Sequence, residues 1–572
     1  MKRIAPFLVT RVDEGEVERL DREGDRSQRR PAMVRRVRWP RLLKRAALVI
    51  PVAVVLAGCN VWTMYGDGTA HVSHDSSDVI TTGNASTLAE AGTTAAATGS
   101  ESWITTSPTV ASNDMLYATA NYAAAGECAG VRDPNNFLHP TDTNDPEVTT
   151  AVNECADTIG ELYAYPASGG TTTCPTPTQG NPTLNCKPSW TAMPSPTNGL
   201  TTSPAVDTSL STPVVYAGSH DGELYAYNAS NGALLWHSQS LGGSIDASLT
   251  IANGYVYVPE DYGWVYVFPS TTGTNGNDQN CWTASKAREC DPDWGYSTGG
   301  NNFSTPAVLS GMLYQAAGDH EGTSKNDPDQ YAVYGFNASY VASECPGTYA
   351  PHESGKPLSD IATCTPAWSA PWLYGGEWDG GGSSPAVANG DVYIESATDG
   401  LLAFSASGSS HCTGTKYVGQ WGEICTPLWV ATTGKDYPNG AEAGPTPAVA
   451  YSVVYIGDRA GEIYAFNDST GALKWTFETG GAIDSSVAIA GDTASDAVVI
   501  VGCSTGVSGQ TCTHSLFALK AASGGSPLWT ESTGGSVDNP PIVADAGTGS
   551  ESGAVYVPSN NQVFAYALPT SN

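Results

Sequence analysis

An all-β fold, an eight-bladed β-propeller of four-stranded antiparallel blades, is predicted by three observations. A tetrad of large apolar and aromatic residues recurs eight times: LYAY (162–165), LYAY (224–227), VYVF (265–268), VYGF (333–336), LLAF (401–404), IYAF (463–466), LFAL (516–519) and VFAY (563–566). The same neighbours accompany most copies, a second apolar strand upstream and a Trp downstream. Composition agrees: 63 Gly and 37 Pro beside only 14% charged residues favour many short strands joined by turns over long charged helices. Four strands repeated eight times is the sequence signature of a propeller.

Each element follows in order. An inner strand begins Ser/Thr-Pro-Ala-Val, as at 203–206, 305–308, 384–387 and 446–449. The second strand reads VVYAGS (214–219), VYVPE (256–260), VYIES (392–396), VVYIGD (453–458) or VYVPS (555–559), and the tetrad is the third. In DGELYAYNASNGALLW (221–236), Asp221-Gly222 closes the hairpin between second and third strands, where positive φ favours Gly. Asn228 to Gly232 make the next turn, and Trp236 on the outer strand covers the gap to a neighbouring blade. Trp190, Trp294, Trp368, Trp429, Trp475 and Trp529 are expected to dock blades in the same way. The eighth unit ends at VFAYALPTSN without a Trp strand, while ESWITTSPTV (101–110) precedes the first inner strand. The strand around Trp103 is therefore expected to complete the last blade and remove the exposed edges. This gives a propeller from 101 to 572. Residues 59–100, rich in Thr, Ala, Gly and Ser, read as a flexible tether in which His71-x-x-His74-Asp75 is a solvated linker.

Charge is sharply asymmetric. Fourteen of the 25 Lys and Arg residues fall in the first 45 positions, and beyond Cys59 there are 50 acids against 11 bases. Nucleic acid is excluded as a partner, since phosphate binding needs clustered cations. The basic run RRVRWPRLLKR (35–45) precedes AALVIPVAVVLAGC (46–59), too short an apolar stretch to span a bilayer and shaped like a secretory signal. Its close, Leu56-Ala57-Gly58-Cys59, resembles the bacterial lipobox, which implies cleavage before Cys59 and lipidation of its sulfur. Residues 1–58 then form an N-terminal extension and lipoprotein signal peptide, with Met33 the more usual start. The protein is expected outside the cytoplasm, anchored to a membrane by lipid.

Twelve further cysteines fall into sequence-adjacent pairs: Cys128/Cys155, Cys174/Cys186, Cys281/Cys290, Cys345/Cys364, Cys412/Cys425 and Cys503/Cys512. An even count at short spacing in an exported chain reads as a disulfide framework. Cys186, Cys290, Cys364 and Cys425 each stand four residues before a docking Trp, so those bonds are expected to staple the loop leading into the outer strand. No Cys-x-x-Cys, Walker loop, GxSxG elbow or HExxH helix occurs.

The pattern A-[YF]-N-[AD]-S-x-G-x-x-x-W, at 226–236 and 465–475, resembles the tryptophan-docking repeat of pyrroloquinoline quinone (PQQ)-like propellers. That superfamily holds quinoprotein alcohol dehydrogenases and the non-enzymatic lipoprotein B of the outer-membrane barrel-assembly machinery. The dehydrogenase resemblance implies PQQ, a Ca²⁺ and a disulfide between adjacent cysteines. No two cysteines here are neighbours, and 11 bases are few to meet three quinone carboxylates. A non-catalytic binding or assembly scaffold is the better expectation, with PQQ-dependent dehydrogenation the alternative. The expected partner is an extracytoplasmic protein or small polar ligand, and the propeller a monomer. A candidate site comes from GGSID (242–246), GGEWD (375–379), GGAID (480–484) and GGSVD (534–538). Asp246, Asp484 and Asp538, with Asp379 displaced, would form an arc at the channel mouth binding Ca²⁺ or a cationic ligand, or else would cap tight Gly-Gly turns.

Overall fold

Eight sheets, each built on one tetrad strand, make up the computed structural model of the protein. It describes residues 68–71, 73–75, 80–94, 102–104, 106–111, 115–123, 158–167, 185–194, 199–272, 281–284, 287–302, 304–319, 330–345, 361–373, 383–396, 399–413, 423–434, 444–504, 512–545, 553–560 and 562–567. The signal sequence, Cys59, Cys128, Cys155, Cys174 and Asp379 lie outside them. No α-helix occurs among the described residues, and one 3-10 turn spans Ala85–Thr87.

Blade 2 is representative, running Ala205–Asp207, Val214–Gly218, Leu224–Asn228 and Leu234–Ser238 from channel to rim. Register is common to the blades. The residue opposite the first inner-strand position is Tyr216, Tyr257, Tyr314, Tyr393 or Tyr455 in blades 2 to 6, Ile500 in blade 7 and Tyr556 in blade 8. The second and third strands are almost wholly buried, because both faces of each sheet pack on neighbours.

The docking tryptophans show why the turn after the third strand carries Gly. The indole N–H of Trp190, Trp368, Trp429 and Trp475 donates to the next blade's turn carbonyl at Ala229, Ala406, Asp468 and Ala521, over 3.1, 3.2, 2.9 and 2.9 Å. The tyrosine hydroxyls of Tyr117, Tyr314, Tyr393 and Tyr455 donate to the same four carbonyls. Each ring lies so close to Gly232, Gly408, Gly471 or Gly524 that a Cβ there would stand 2.4–2.7 Å from it. Trp236 and Trp294 are fully buried, and Trp529 meets Tyr566 edge-on.

Two expectations are corrected at the N-terminus. The outer strand of blade 8 is Ala89–Thr94, antiparallel to Gln562–Ala567. The strand holding Trp103, Ser102–Ile104, instead pairs antiparallel with the second strand of blade 1, beyond the inner strand Thr109–Ala111, with Ser102 opposite Tyr122. The edge strand AEAGTT opens on exposed Ala89 and Glu90 and has no aromatic residue, so it lacks the pattern of the other strands. The segment expected to be a tether is partly built into the ring. Carbonyls of Thr69, Ala70 and Ser73 accept from Val308, Val387 and Ile489, the middle residues of the inner strands of blades 4, 5 and 7. His74–Asp75 then pairs parallel with Ile489–Ala490. His71, read as solvated, is fully buried, with Nδ1 3.2 Å from Pro385 O and Nε2 3.2 Å from the Thr250 hydroxyl. Burial lowers its pKa to about 4, so the ring is neutral, with its one N–H, at Nδ1, donating to Pro385 O. Residues 68–71 and 73–75 thus lie against the inner strands that line the channel.

The cysteine-bearing insertions also do more than expected. Ala287–Cys290 pairs parallel with the outer strand of blade 2, Ala362–Cys364 with that of blade 3, Glu423–Cys425 with that of blade 4, and Asn185–Cys186 with Ala89–Thr94 of blade 8. Each insertion therefore reaches back and covers the previous blade's edge. Disulfides Cys281–Cys290, Cys345–Cys364 and Cys412–Cys425 hold three of these strands, Cys186 is also disulfide-bonded, and Cys503–Cys512 closes the second hairpin of blade 7.

Candidate functional site at the channel mouth

The repeated Gly-Gly segments sit on one face of the ring and are interlocking pieces before they are anything else. Ile245, Ile483 and Val537 are fully buried. Each fills a notch at the end of the preceding blade's second strand, where a Cβ on Gly218, Gly457 or Gly502 would approach it within 2.5, 2.3 or 2.4 Å. Their backbone N–H groups donate to Ser219, Asp458 and Cys503 carbonyls over 3.2, 2.9 and 3.2 Å. The second glycine meets the following blade: a Cβ on Gly243 would lie 2.1 Å from Glu260 Oε1, and one on Gly535 2.1 Å from Asn560 Nδ2. Glycine is required by this close approach on both sides.

The aspartate that follows each anchor is held by the residue four positions beyond the register tyrosine or isoleucine of the preceding blade. Asp246 Oδ1 lies 3.2 Å from His220 Nδ1, Asp484 Oδ1 accepts from Arg459 Nε over 2.8 Å, and Asp538 accepts from the Ser504 side chain. The Asp246 bond raises the pKa of His220, against burial. Asp538 remains exposed, yet its pKa is raised by partial desolvation and by the charge of Asp484, with Ser504 and Arg459 pulling it down. So the three aspartates occupy equivalent places, each committed to its own partner. Among the described residues no three His, Cys, Asp or Glu side chains are grouped to hold a metal ion.

Sequence reasoning missed the acids behind this arc. Glu260 ends its second strand and Glu395 stands one residue before the end of its own, with 1% exposure each. Neither carboxyl oxygen of Glu260 has a donor in bonding geometry, and burial pushes its pKa up to about 7 against the dipoles of the Tyr262, Trp264 and Gly243 amides. Glu395 accepts from the Thr433 hydroxyl at 2.9 Å through Oε1, and Oε2 has no partner. Its pKa rises to about 8, through burial first and the charge of Asp458 second. Asp261 is shifted upward by burial and by Asp246 beside it. Asp458 is also raised by burial, although the Glu462 amide and the Tyr464 hydroxyl donate to it. The signal lay in the second-strand endings VPE, IES and IGD, which follow their register tyrosines directly, with Asp261 one residue further on.

Among the described residues this face offers few cationic partners for a quinone carrying three carboxylates. Of the described bases, Arg288 lies on an edge-covering strand, Lys474 on an outer strand, Lys520 at a third-strand end and Lys187 beyond a rim strand. Arg459 alone reaches the mouth, already paired with Asp484.

Comparison with known proteins sets these features in context. The profile of the family described as outer membrane protein assembly factor BamB matches residues 185–290 and 359–570, more than half of the chain. The tetrathionate hydrolase of Acidithiobacillus ferrooxidans is 23% identical over 292 residues, covering 46% of this chain and 56% of that protein. The match thus spans little more than half the length of that curated relative. Among solved structures, a europium-containing methanol dehydrogenase superposes with TM-score 0.53 at 11% identity, covering 89% of this chain and 98% of that one. BamB from Moraxella catarrhalis gives 0.39 at 15% identity, covering 68% and 86%. The methanol dehydrogenase likeness is one of fold alone.

Proposed function

The chain belongs to the family of the outer membrane protein assembly factor BamB, and from that premise we propose that it is a non-catalytic, exported, lipid-anchored binding propeller whose channel-mouth face engages a basic partner. One observation carries the reading. Asp484 and Asp538 stand beside the Arg459 guanidinium at the blade 6–7 and 7–8 boundaries, and Asp246 holds the equivalent place at the blade 2–3 boundary, on loops pinned by buried anchors. A fixed acidic surface suits electrostatic recognition of a cationic protein segment or small polar cation. Four closed disulfides accord with an oxidising compartment, and anchoring through Cys59 rests on the lipobox resemblance.

Calorimetry tests this with the lipid-free propeller at pH 7.5 and low salt, titrated with a Lys/Arg-rich peptide and separately with Ca²⁺. Heat should be measurable for the peptide and largely lost in an Asp246→Asn/Asp484→Asn/Asp538→Asn variant. Equal heats in both proteins, or none in either, would remove the acidic face from the account.

A second reading draws on the tetrathionate hydrolase relative. Glu260 and Glu395 still hold protons near neutrality, and a carboxyl in that state is suited to act as a general acid. Loss of tetrathionate in the presence of the purified protein, abolished by Glu260→Gln, would favour hydrolysis over binding. The PQQ-dependent alternative requires a bound-quinone spectrum on adding PQQ and Ca²⁺.

A further inference from the structure

Blade register exposes one residue out of pattern at the mouth. Four positions after the register tyrosine or isoleucine stand His220 in blade 2, Arg459 in blade 6, Ser504 in blade 7 and Asn560 in blade 8. The first three can donate to the aspartate lodged beside them. Blade 3 has Asp261 there. Its backbone is in the same place as that of Ser504: Asp261 N donates to Ser244 O over 3.0 Å as Ser504 N does to Ala482 O over 2.7 Å. Asp261 therefore meets Asp246 from the side opposite His220. Its Oδ1 is buried without a donor, and so are both oxygens of the adjoining Glu260.

Three carboxyls thus share one interlock, and the groups facing them can be named. From the Gly-Gly segment come Gly243 and Ser244, from the blade 3 hairpin Tyr262 and the Trp264 amide, and from the blade 2 hairpin His220, with Asp221 behind it. His220 is the one cationic side chain given to them among the described residues. Two ionised carboxylates in contact in such a place repel strongly, whereas one carboxyl donating to its neighbour satisfies both.

We propose that Asp261 holds a proton in the native protein and donates it to Asp246, with Glu260 buried as a neutral acid alongside, making this interlock a proton-binding site that fits the propeller to an acidic medium. The site shares Asp246 with the proposed binding face, but its proton is read with no ligand present. No bond other than O–H is made or broken: the proton is taken from water on folding and returned on unfolding at neutral pH. The upward shifts of Asp261 and Glu260 agree in direction, and raised carboxyl pKa values give stability that is present in acid and lost as pH rises.

The test uses the whole exported chain and its Asp261→Asn, Asp261→Ser and Glu260→Gln variants, the serine being the residue of blade 7. Infrared difference spectra at pH 7 should show a protonated-carboxyl C=O band in the wild type that weakens in each variant. Thermal melts should show wild-type Tm falling between pH 5 and pH 9, with Asp261→Asn falling less and exceeding the wild type by about 2 °C at pH 9. The infrared measurement on the wild type stands even if a variant folds poorly. No protonated-carboxyl band at pH 7, or a band unchanged in all three variants, would overturn the proposal. So would a Ca²⁺-induced rise in Tm at pH 7 in the wild type that Asp261→Asn abolishes, since the carboxylates would then be ionised around a cation.

Discussion

Glu395 and His71 carry opposite pH dependences on opposite sides of the inner strands. Glu395 has a folded pKa of about 8, above its ordinary 4.5. Its contribution is complete below pH 4.5 and declines as pH rises toward 8. Glu395→Gln keeps the Thr433 contact without titrating, so its Tm relative to wild type should climb from pH 5 to pH 9. A constant difference across that range would show that Glu395 is ionised in the folded state. For His71, held neutral with a pKa of about 4 against an ordinary 6.5, stability is present above pH 6.5 and lost as pH falls toward 4. Together they place the stability maximum in mild acid. The interlocking glycines set a steric test at the same scale. A Cβ on Gly481 would lie 2.6 Å from Cys512 Sγ and 2.8 Å from the Ser504 carbonyl, a disulfide atom and a backbone atom that cannot step aside. Gly481→Ala should cost about 1–3 kcal/mol in urea unfolding. Gly254→Ala is the comparison, with nothing within 4 Å and only the strain of φ 81° to bear.

Strands differ in how well their residues announce them. The tetrads were legible because a third strand is packed on both faces and must be apolar and aromatic throughout, as Leu224 to Tyr227 are. The closing strand was not, because Ala89 to Thr94 lies at the rim, where small residues suffice and no repeat marks it. Trp103 points to an outer strand because the seven docking tryptophans lie on outer strands, although Trp264 opens a third strand. The site was legible in part for a similar reason. Gly-Gly-x-Ile-Asp stands out as contiguous text, whereas Asp261 and Glu260 become its neighbours only across a blade boundary. The disulfides belong to this scale too. Cys281 and Cys290 face each other across a hairpin whose second strand lies on the edge of blade 2. Replacing both with Ser should cost about 2–3 kcal/mol by the loop-closure argument, read as a lower urea midpoint. Equal midpoints would mean that the strand pairing holds without its staple.

At the scale of the whole molecule the ring is fastened on both faces and from within. On one face indole and tyrosine donors reach the next blade's turn. On the other, Ile245, Ile483 and Val537 are set into glycine notches. Residues 68–75 then bond to the inner strands of blades 4, 5 and 7, and 89–94 supply the last outer strand. The chain's own N-terminal segment therefore occupies channel wall that a ligand would otherwise meet, which turns attention to the face that carries Asp246, Asp484 and Asp538. The central claim is that this segment is part of the fold. Scanning calorimetry on a chain beginning at residue 66 and on one beginning at residue 101, the boundary that composition suggests, tests it most directly. The account predicts one cooperative transition at the Tm of the mature protein for the first. For the second it predicts a transition at least about 10 °C lower, or none, because blade 8 loses its outer strand and the inner strands lose their partner. Equal melting of the two chains would contradict it.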